Sequence, residues 1–209
     1  MNLQFRRASP GDVEEAIPLI YGAGPLGLDY VYAVGRHRVL DFLRTAFVHG
    51  SSTLGYRSHV VALVDGHVVG VAAFYDGAEY RRLNRKVFYP VMSFYGPLAG
   101  LGVLRRGIQV QRALVPPPER DDVLIQHLGV SEQMRGRGIG AALLNNGYDT
   151  ARSGGFRRCI GDVEVTNPRA QALYERLGCR VIEERKWPIT GSGVRLPDVR
   201  RVAKLLRQA

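Results

Sequence analysis

Residues 135–140 read RGRGIG, and they lie between an apolar run at 123–130 and a second apolar run at 139–151. The first run is predicted to be a strand and the second a helix. Glycines let the backbone pass close to a phosphate, and the first N–H groups of a helix point at bound anions. The arginines add positive charge there. This strand, turn and helix therefore predict a binding site for a phosphate-bearing ligand.

Composition predicts one globular domain over residues 1–209, because 45% of the residues are hydrophobic and 23% are charged. The formal charge of +10 suits an anionic partner. The basic residues are scattered, however, so nucleic acid is not the expected partner. Cys159 and Cys179 lack metal-ligand spacing, and no charged-then-apolar signal segment opens the chain. We expect no metal site and a cytoplasmic location.

The uncharged stretch 87–104 has the length of a short membrane span. Pro90 and Pro97, together with three glycines, interrupt it, and a spanning helix would have to re-satisfy the backbone groups that they free. We therefore expect a buried or interface segment rather than a span. The stretch belongs to an insertion at about 79–119, predicted to lie between two central strands, to contain a helix near 103–114 and to offer a homodimer contact.

Hydrophobic periodicity gives the order of the other elements. Strands are predicted at 3–7, 59–64, 67–74, 123–130, 158–165, 179–187 and 199–206. Helices are predicted at 11–21, 34–48, 139–151 and after Asn167, with a polar, aromatic loop between the first two and a loop at 188–197. This order indicates an α+β fold around a mixed sheet.

Three ligands compete for the glycine-rich turn. A Walker A loop needs a lysine and a hydroxyl residue after its last glycine, but Ile139 and Ala141 stand there. A dinucleotide fingerprint fits Gly136, Gly138 and Ala141, with Asp162 downstream. Such a fold would open with strand, turn and helix, however, whereas this chain opens with helices and a hairpin.

The third reading rests on two motifs. Residues 130–144, VSEQMRGRGIGAALL, resemble the acetyl-CoA-binding motif of the GCN5-related N-acetyltransferases (GNAT), whose core is R/Q-x-x-G-x-G/A. Residues 167–179, NPRAQALYERLGC, are similar to the family's N-x-x-A-x-x-L-Y-x-x-x-G-F segment, with Cys179 in place of phenylalanine. The resemblance implies a central mixed sheet of about six to seven strands flanked by helices in three α/β/α layers. The insertion lies outside it.

The resemblance implies an acetyl-CoA-dependent N-acetyltransferase that moves the acetyl group directly to a primary amine of a small molecule or of a peptide or protein. CoA would leave as product. A non-catalytic acyl-CoA-binding or nucleic-acid-binding regulatory module remains the alternative. The cofactor would be held by Leu128, Gly129, Val130, Arg135, Gly136, Arg137, Gly138, Ile139, Gly140, Ala141, Asn167 and Tyr174.

The resemblance also implies catalytic roles. Tyr174 matches the tyrosine that protonates the CoA sulfur. Asp162 precedes it by twelve residues, the spacing at which ribosomal-protein N-terminal acetyltransferases carry a glutamate base. Glu164 lies on the same strand face and is expected to bind the acceptor, as are Tyr30 and Tyr32 in the aromatic loop. His127 and Gln126 are further candidates for the base.

Overall fold

The computed structural model describes residues 2–188 and 194–206. Seven strands form one sheet in the order β1-β2-β3-β4-β5-β7-β6. β4 and β5 are parallel, and the other neighbouring pairs are antiparallel. The predicted mixed sheet is confirmed. Its strands are β1 (Leu3–Arg7), β2 (His59–Val64), β3 (His67–Asp76), β4 (Asp122–Val130), β5 (Arg158–Glu164), β6 (Arg180–Arg185) and β7 (Val199–Leu205).

Helices cover both faces of the sheet. Successive residues of a strand point to opposite faces, so neighbouring residues pack against helices of different layers. Val61 and Val71 pack with the first and third helices, whereas Ala62 and Ala72 pack with the helix after the glycine-rich turn. The three-layer prediction is therefore confirmed. The helices are α1 (Val13–Gly22), α2 (Pro25–Tyr32), α3 (Val39–His49), α4 (Gly77–Arg85), α5 (Phe88–Ala113), α6 (Ile139–Ser153) and α7 (Pro168–Arg176).

The two motif helices begin where the sequence predicts. Gly138 is the N-cap of α6 and has a φ of 82°, a left-handed conformation that glycine adopts without strain. Asn167 caps α7 by accepting the Ala170 N–H at 3.0 Å, and Pro168 occupies the first helical position. Both starts are thus fixed by local chemistry. Of the predicted loop 188–197, residues 189–193 lie outside the described residues.

Two predictions near the N-terminus are wrong. The expected aromatic loop is helix α2, which starts at Pro25 and packs its tyrosines on neighbouring helices. The next helix starts at Val39 instead of residue 34, because Val34 and His37 form a tight turn around Gly35, whose φ is 57°. Packing decided the first of these structures and a single glycine decided the second. Neither cause produces a pattern of hydrophobic periodicity in the sequence.

The insertion between β3 and β4 consists of α4 and α5, so it is more helical than the single helix predicted at 103–114. Gly96, with φ 75° and ψ 172°, breaks α5 into two parts. By length and composition alone, the segment Gly77–Ala113 could cross a membrane, and 33% of its most apolar window is buried. Val91, Tyr95 and Val103 belong to the core cluster formed with α1 and α3. This packing favours a helix that lies against the protein core over one that crosses a membrane. The expected absence of a membrane span stays a prediction.

Candidate active site

A gap in the middle of the sheet defines the site. Residues 122–125 of β4 pair with residues 158–161 of β5, and beyond them the two strands separate. A β-bulge on β4 accompanies this separation: Ala73 pairs with Gln126 but Val71 pairs with Gly129, which leaves one extra residue on β4. Bulges bend a strand and interrupt its ladder. A cavity of about 1010 Å³ opens in the gap and runs to the glycine-rich turn.

The glycine-rich turn presents free backbone donors to this cavity. Gly136 and Gly138 have φ values of 78° and 82°, and a Cβ on either would meet no atom within 4 Å. Within the described part of the chain, no hydrogen bond uses the N–H groups of residues 136–141. Six unpaired N–H groups at the start of α6 form a site for an anion, strengthened by the helix dipole.

The two arginines of the turn have different positions. Arg135 lines the cavity and braces the turn, since its Nε donates to the Val130 carbonyl at 3.2 Å and its Nη1 donates to Glu132 at 3.0 Å. Arg137 is exposed and is not among the cavity-lining residues. The structure brings the other predicted cofactor residues together around one cavity: Leu128, Gly129, Val130, Arg135, Gly136, Gly138, Ile139, Gly140, Ala141, Asn167 and Tyr174.

Gly129 lets helix α1 pack directly on β4. A Cβ at this position would lie 2.3 Å from the Leu19 carbonyl oxygen and 2.8 Å from its carbon. Leu19 and Gly129 both line the cavity. The close approach of the two backbones therefore sets the width of the cavity on this side.

Replacing Gly129 with alanine is expected to destabilise the protein by about 1–3 kcal/mol, because α1 has to move away from β4. The matched control is Gly27→Ala, which adds the same methyl group at another cavity-lining glycine with no atom within 4 Å. The control lies inside α2 and should be neutral or slightly stabilising. Thermal unfolding measures both, and equal melting temperatures would contradict the packing described.

Tyr174 is 5% exposed on α7, and its ring lies against Gly161 of β5. A Cβ at Gly161 would lie 3.1 Å from the Tyr174 hydroxyl oxygen, so the glycine provides the space for the phenol. No described residue hydrogen-bonds this hydroxyl, and no buried side-chain oxygen in the described residues lacks a partner, so the hydroxyl reaches the cavity surface. Burial raises the pKa of Tyr174 well above its usual value and keeps the phenol protonated.

Asp162 is held by arginines. Arg201 binds both carboxylate oxygens, at 2.8 and 2.7 Å, and Arg185 approaches one of them at 3.3 Å. The same guanidinium groups donate to the carbonyls of Pro116 and Leu114, just after α5. Asp162 therefore ties the end of the insertion to the sheet. Its predicted role as base stays a prediction, and the arginines occupy the oxygens that a base would use.

Glu164 lines the same cavity, two residues further along β5. Its contact with Thr166 Oγ1 is long, at 3.4 Å, which leaves the carboxylate largely available. Burial raises the pKa of Glu164 above its usual value. A carboxylate whose charged form is disfavoured in this way is better suited to accept a proton.

Tyr30 and Tyr32 lie outside the cavity lining. The Tyr30 hydroxyl donates to Gln109 of α5 at 2.8 Å, and its ring meets Trp187 edge-on. The Tyr32 ring lies 4.6 Å from that of Phe42, centre to centre. Both tyrosines hold α2 against its neighbours. Their role in acceptor binding stays a prediction. Their position outside the cavity lining does not support it.

Sequence reasoning missed several cavity residues. Arg169 and Arg176 on α7 line the cavity together with Tyr174. Their spacing of seven residues, on the helix that carries Tyr174, is a signal that could have found them. The end of α5 contributes Val110 and Leu114, which no local pattern could assign to the site because the contact is long-range.

Comparisons with known proteins identify the family. The model of the acetyltransferase (GNAT) family matches residues 38–179, more than half of the chain. The chain belongs to the GNAT family. The family is described as one of acetyltransferases, and this disfavours the non-catalytic module. The family generally uses acetyl-CoA as co-substrate.

Relatives of this GNAT protein match it in part. Mycothiol acetyltransferase of Corynebacterium glutamicum (strain R) is 39% identical over 66 residues, 32% of this chain and 22% of that protein. L-2,4-diaminobutyric acid acetyltransferase of Shouchella clausii is 32% identical over 65 residues, 31% of this chain and 36% of that protein. The matches thus span about a fifth to a third of these relatives.

Solved structures resemble the whole chain. One acetyltransferase has a TM-score of 0.68 at 19% identity, over 98% of this chain and 100% of its own. An N-acetyltransferase from Staphylococcus aureus Mu50 has a TM-score of 0.65 at 18% identity, over 96% of this chain and 100% of its own. At these identities the likeness bears on the fold alone, and it extends through the insertion.

Proposed function

We propose that this GNAT enzyme transfers the acetyl group of acetyl-CoA to a primary amine of a small molecule or of a peptide or protein. One observation carries the proposal. A single cavity joins the six free N–H groups of the glycine-rich turn to the Tyr174 hydroxyl in the gap between β4 and β5. An open strand edge thus links an anion site to a proton donor. Acetyl-CoA would use all three, the anion site for its pyrophosphate, the strand edge for its pantetheine arm and the proton donor for its departing thiolate.

Acetyl-CoA would lie along this path. The N–H groups of residues 136–141 would hold its pyrophosphate, with Arg169 and Arg176 adding positive charge. The peptide-like pantetheine arm would pair with the free edge of β4 at residues 126–130, in the manner of an added strand. The Asn167 side-chain oxygen already accepts the Ala170 N–H, so its amide nitrogen is the group left to bind the arm.

The reaction would then proceed by direct attack. The amine nitrogen forms a bond to the thioester carbon, and a backbone N–H at 128–130 binds the resulting oxyanion. The C–S bond breaks, the CoA thiolate takes the proton of Tyr174, and the nitrogen loses a proton to a base. Because Asp162 is held by Arg201 and Arg185, Glu164 is the carboxylate better placed for that base.

The acceptor is proposed at the level of its class. Mycothiol and diaminobutyric acid, in the names of the two relatives, are small molecules, which favours a small acceptor. The end of α5 lines the cavity, so the insertion would help to shape the acceptor site. α5 also exposes Phe88, Tyr89 and Leu98, which is consistent with the homodimer contact predicted for the insertion. A panel of amines, amino acids and peptides, assayed by CoA thiol release, tests the activity.

Acetyl-CoA should raise the melting temperature of the protein, because a ligand at 100 times its Kd stabilises by about 2.7 kcal/mol. The variant Gly138→Val should lose this shift, since its backbone strain and side chain disturb the N–H groups at the start of α6. Gly66→Val is the matched control, because Gly66 has a φ of 84° and open space but lies in the β2–β3 turn. A parent protein without a shift at saturating acetyl-CoA would overturn the proposal.

A further inference from the structure

Two histidines that the proposed reaction does not use lie beside the cavity. His59, at the start of β2, is fully buried, and its Nε2 lies 3.0 Å from Nδ1 of His127 on β4. The rings are stacked with centres 5.2 Å apart. His127 has a φ of 54° within the bulge of β4, which breaks the alternation of the strand and accompanies this contact. It also lines the cavity.

The hydrogen bonds fix which nitrogens carry protons. Nδ1 of His59 lies 2.8 Å from the Gly55 carbonyl oxygen, which can only accept, so this Nδ1 carries the hydrogen. In a neutral ring the Nε2 of His59 then accepts, and Nδ1 of His127 donates to it. The remaining nitrogen, Nε2 of His127, is left with a lone pair.

This lone pair faces open space. Within the described part of the chain, Nε2 of His127 has no hydrogen-bond partner. Among the same residues, no buried side-chain nitrogen lacks one, so this atom is not fully buried. Since His127 lines the cavity, Nε2 opens into it. Burial lowers the pKa of His127 to about 3, and that of His59 to about 4, so both rings are neutral at pH 7.

The carbonyl that starts this chain of bonds is held rigidly. A Cβ at Gly55 would lie 2.4 Å from the Gly50 backbone, so the loop is closed tightly at this point. The same loop is fixed by the Tyr75 hydroxyl, which donates to the Thr53 carbonyl at 2.7 Å, and by the Ser58 hydroxyl, which donates to the Ser52 carbonyl at 2.8 Å. Gly55 therefore presents its oxygen in one position.

We propose that His127 binds the acceptor, its Nε2 accepting a hydrogen bond from the nitrogen to be acetylated, and that His59 is a positioning residue that fixes the His127 tautomer. The inference rests on the proposed function and names a contact of its acceptor. Such a bond directs one N–H away from the thioester and leaves the nitrogen lone pair free to attack. Orientation of this kind commonly contributes a factor of about 10² to the rate.

Nitrogen NMR of the full-length protein labelled with ¹⁵N-histidine tests the tautomers without any acceptor. At pH 7 the His127 ring should be neutral, with hydrogen on Nδ1 and none on Nε2. In the variant His59→Phe the two tautomers of His127 should mix. Hydrogen on Nε2 in the parent protein, or a charged His127 ring at pH 7, would overturn the proposal.

Turnover with benzylamine and with aniline tests the contact itself. The variant His127→Leu should lower kcat/KM for either amine about 10²-fold, and His127→Gln, which keeps an acceptor near Nε2, should recover part of it. The acetyl-CoA melting shift should persist in both variants. His49→Leu, at an exposed histidine outside the cavity, is the control.

Unchanged turnover in His127→Leu would overturn the proposal, as would equal losses in the leucine and glutamine variants. A parent protein that binds acetyl-CoA but releases no CoA thiol with these two amines or with any member of the panel of amines, amino acids and peptides would count against the proposed function alone. The nitrogen spectra would then decide the tautomer proposal by themselves.

Discussion

Replacing Tyr174 with phenylalanine is expected to lower kcat about 10²-fold or more, because the CoA thiolate would lose its proton donor. The phenol is buried against Gly161 and opens to the cavity, so phenylalanine keeps the packing and removes only the hydroxyl. The acetyl-CoA melting shift should persist, since the pyrophosphate site lies at the start of α6. Steady-state kinetics by thiol release, with thermal shift beside it, measures both.

The matched control is Tyr148→Phe. Tyr148 is equally buried, on α6, but its hydroxyl contacts Cys179 Sγ at 3.3 Å and it is absent from the cavity lining. Its variant should keep kcat. Because burial raises the pKa of Tyr174, the parent enzyme should also show no loss of rate from this group as the pH rises from 7 to 9. A Tyr174→Phe enzyme with the parent kcat would assign the tyrosine to packing.

Replacing Asp162 with alanine is expected to destabilise the fold by about 3–5 kcal/mol, because two arginines would be left without their buried carboxylate. The side chains of Asp162 and Arg201 are 7% and 8% exposed, and Arg185 is 10% exposed. The melting temperature should fall by roughly 10 °C. The end of α5 should loosen with it, since Arg201 and Arg185 also hold the carbonyls of Pro116 and Leu114.

A surface pair provides the control for Asp162. Glu184 and Arg200 are ion-paired at 2.9 Å but about a third or more exposed, so Glu184→Ala should cost less than about 1 kcal/mol. The double change Asp162→Ala with Arg201→Met should recover part of the loss, because it removes one of the unpaired charges. A single variant as stable as the parent would show that the buried network contributes little.

The same variants separate the two candidate bases. In Asp162→Asn protein, assayed well below its melting temperature, kcat should stay near the parent value if Asp162 serves only the network. Glu164→Gln should then lower kcat with little change in stability, since the Glu164 carboxylate makes one long contact. The reverse result would restore the base role that the family resemblance implies for Asp162.

The sequence predicted the backbone donors of the proposed anion site because the turn that presents them is local. Gly138 supplies the left-handed turn, Asn167 and Pro168 start the next helix, and these features need no distant partner. The order of strands and helices along the chain followed from hydrophobic periodicity. The site proposed for the acetyl donor therefore follows from two short motifs.

Only the tertiary structure decided what surrounds the proposed acceptor site. The family resemblance made Asp162 a candidate base, but Arg185 and Arg201 reach it from two other strands. His59 and His127 are 68 residues apart in sequence, and a bulge brings their rings together.

The aromatic segment that was predicted as a loop is helix α2, because its tyrosines pack against α3 and α5. The sequence by itself thus determined the fold class and the turn proposed to bind the donor, since backbone conformation and capping are encoded within a few residues. The tertiary structure decided the acceptor side, because burial, ion pairs and tautomers depend on residues that meet only when the chain is folded.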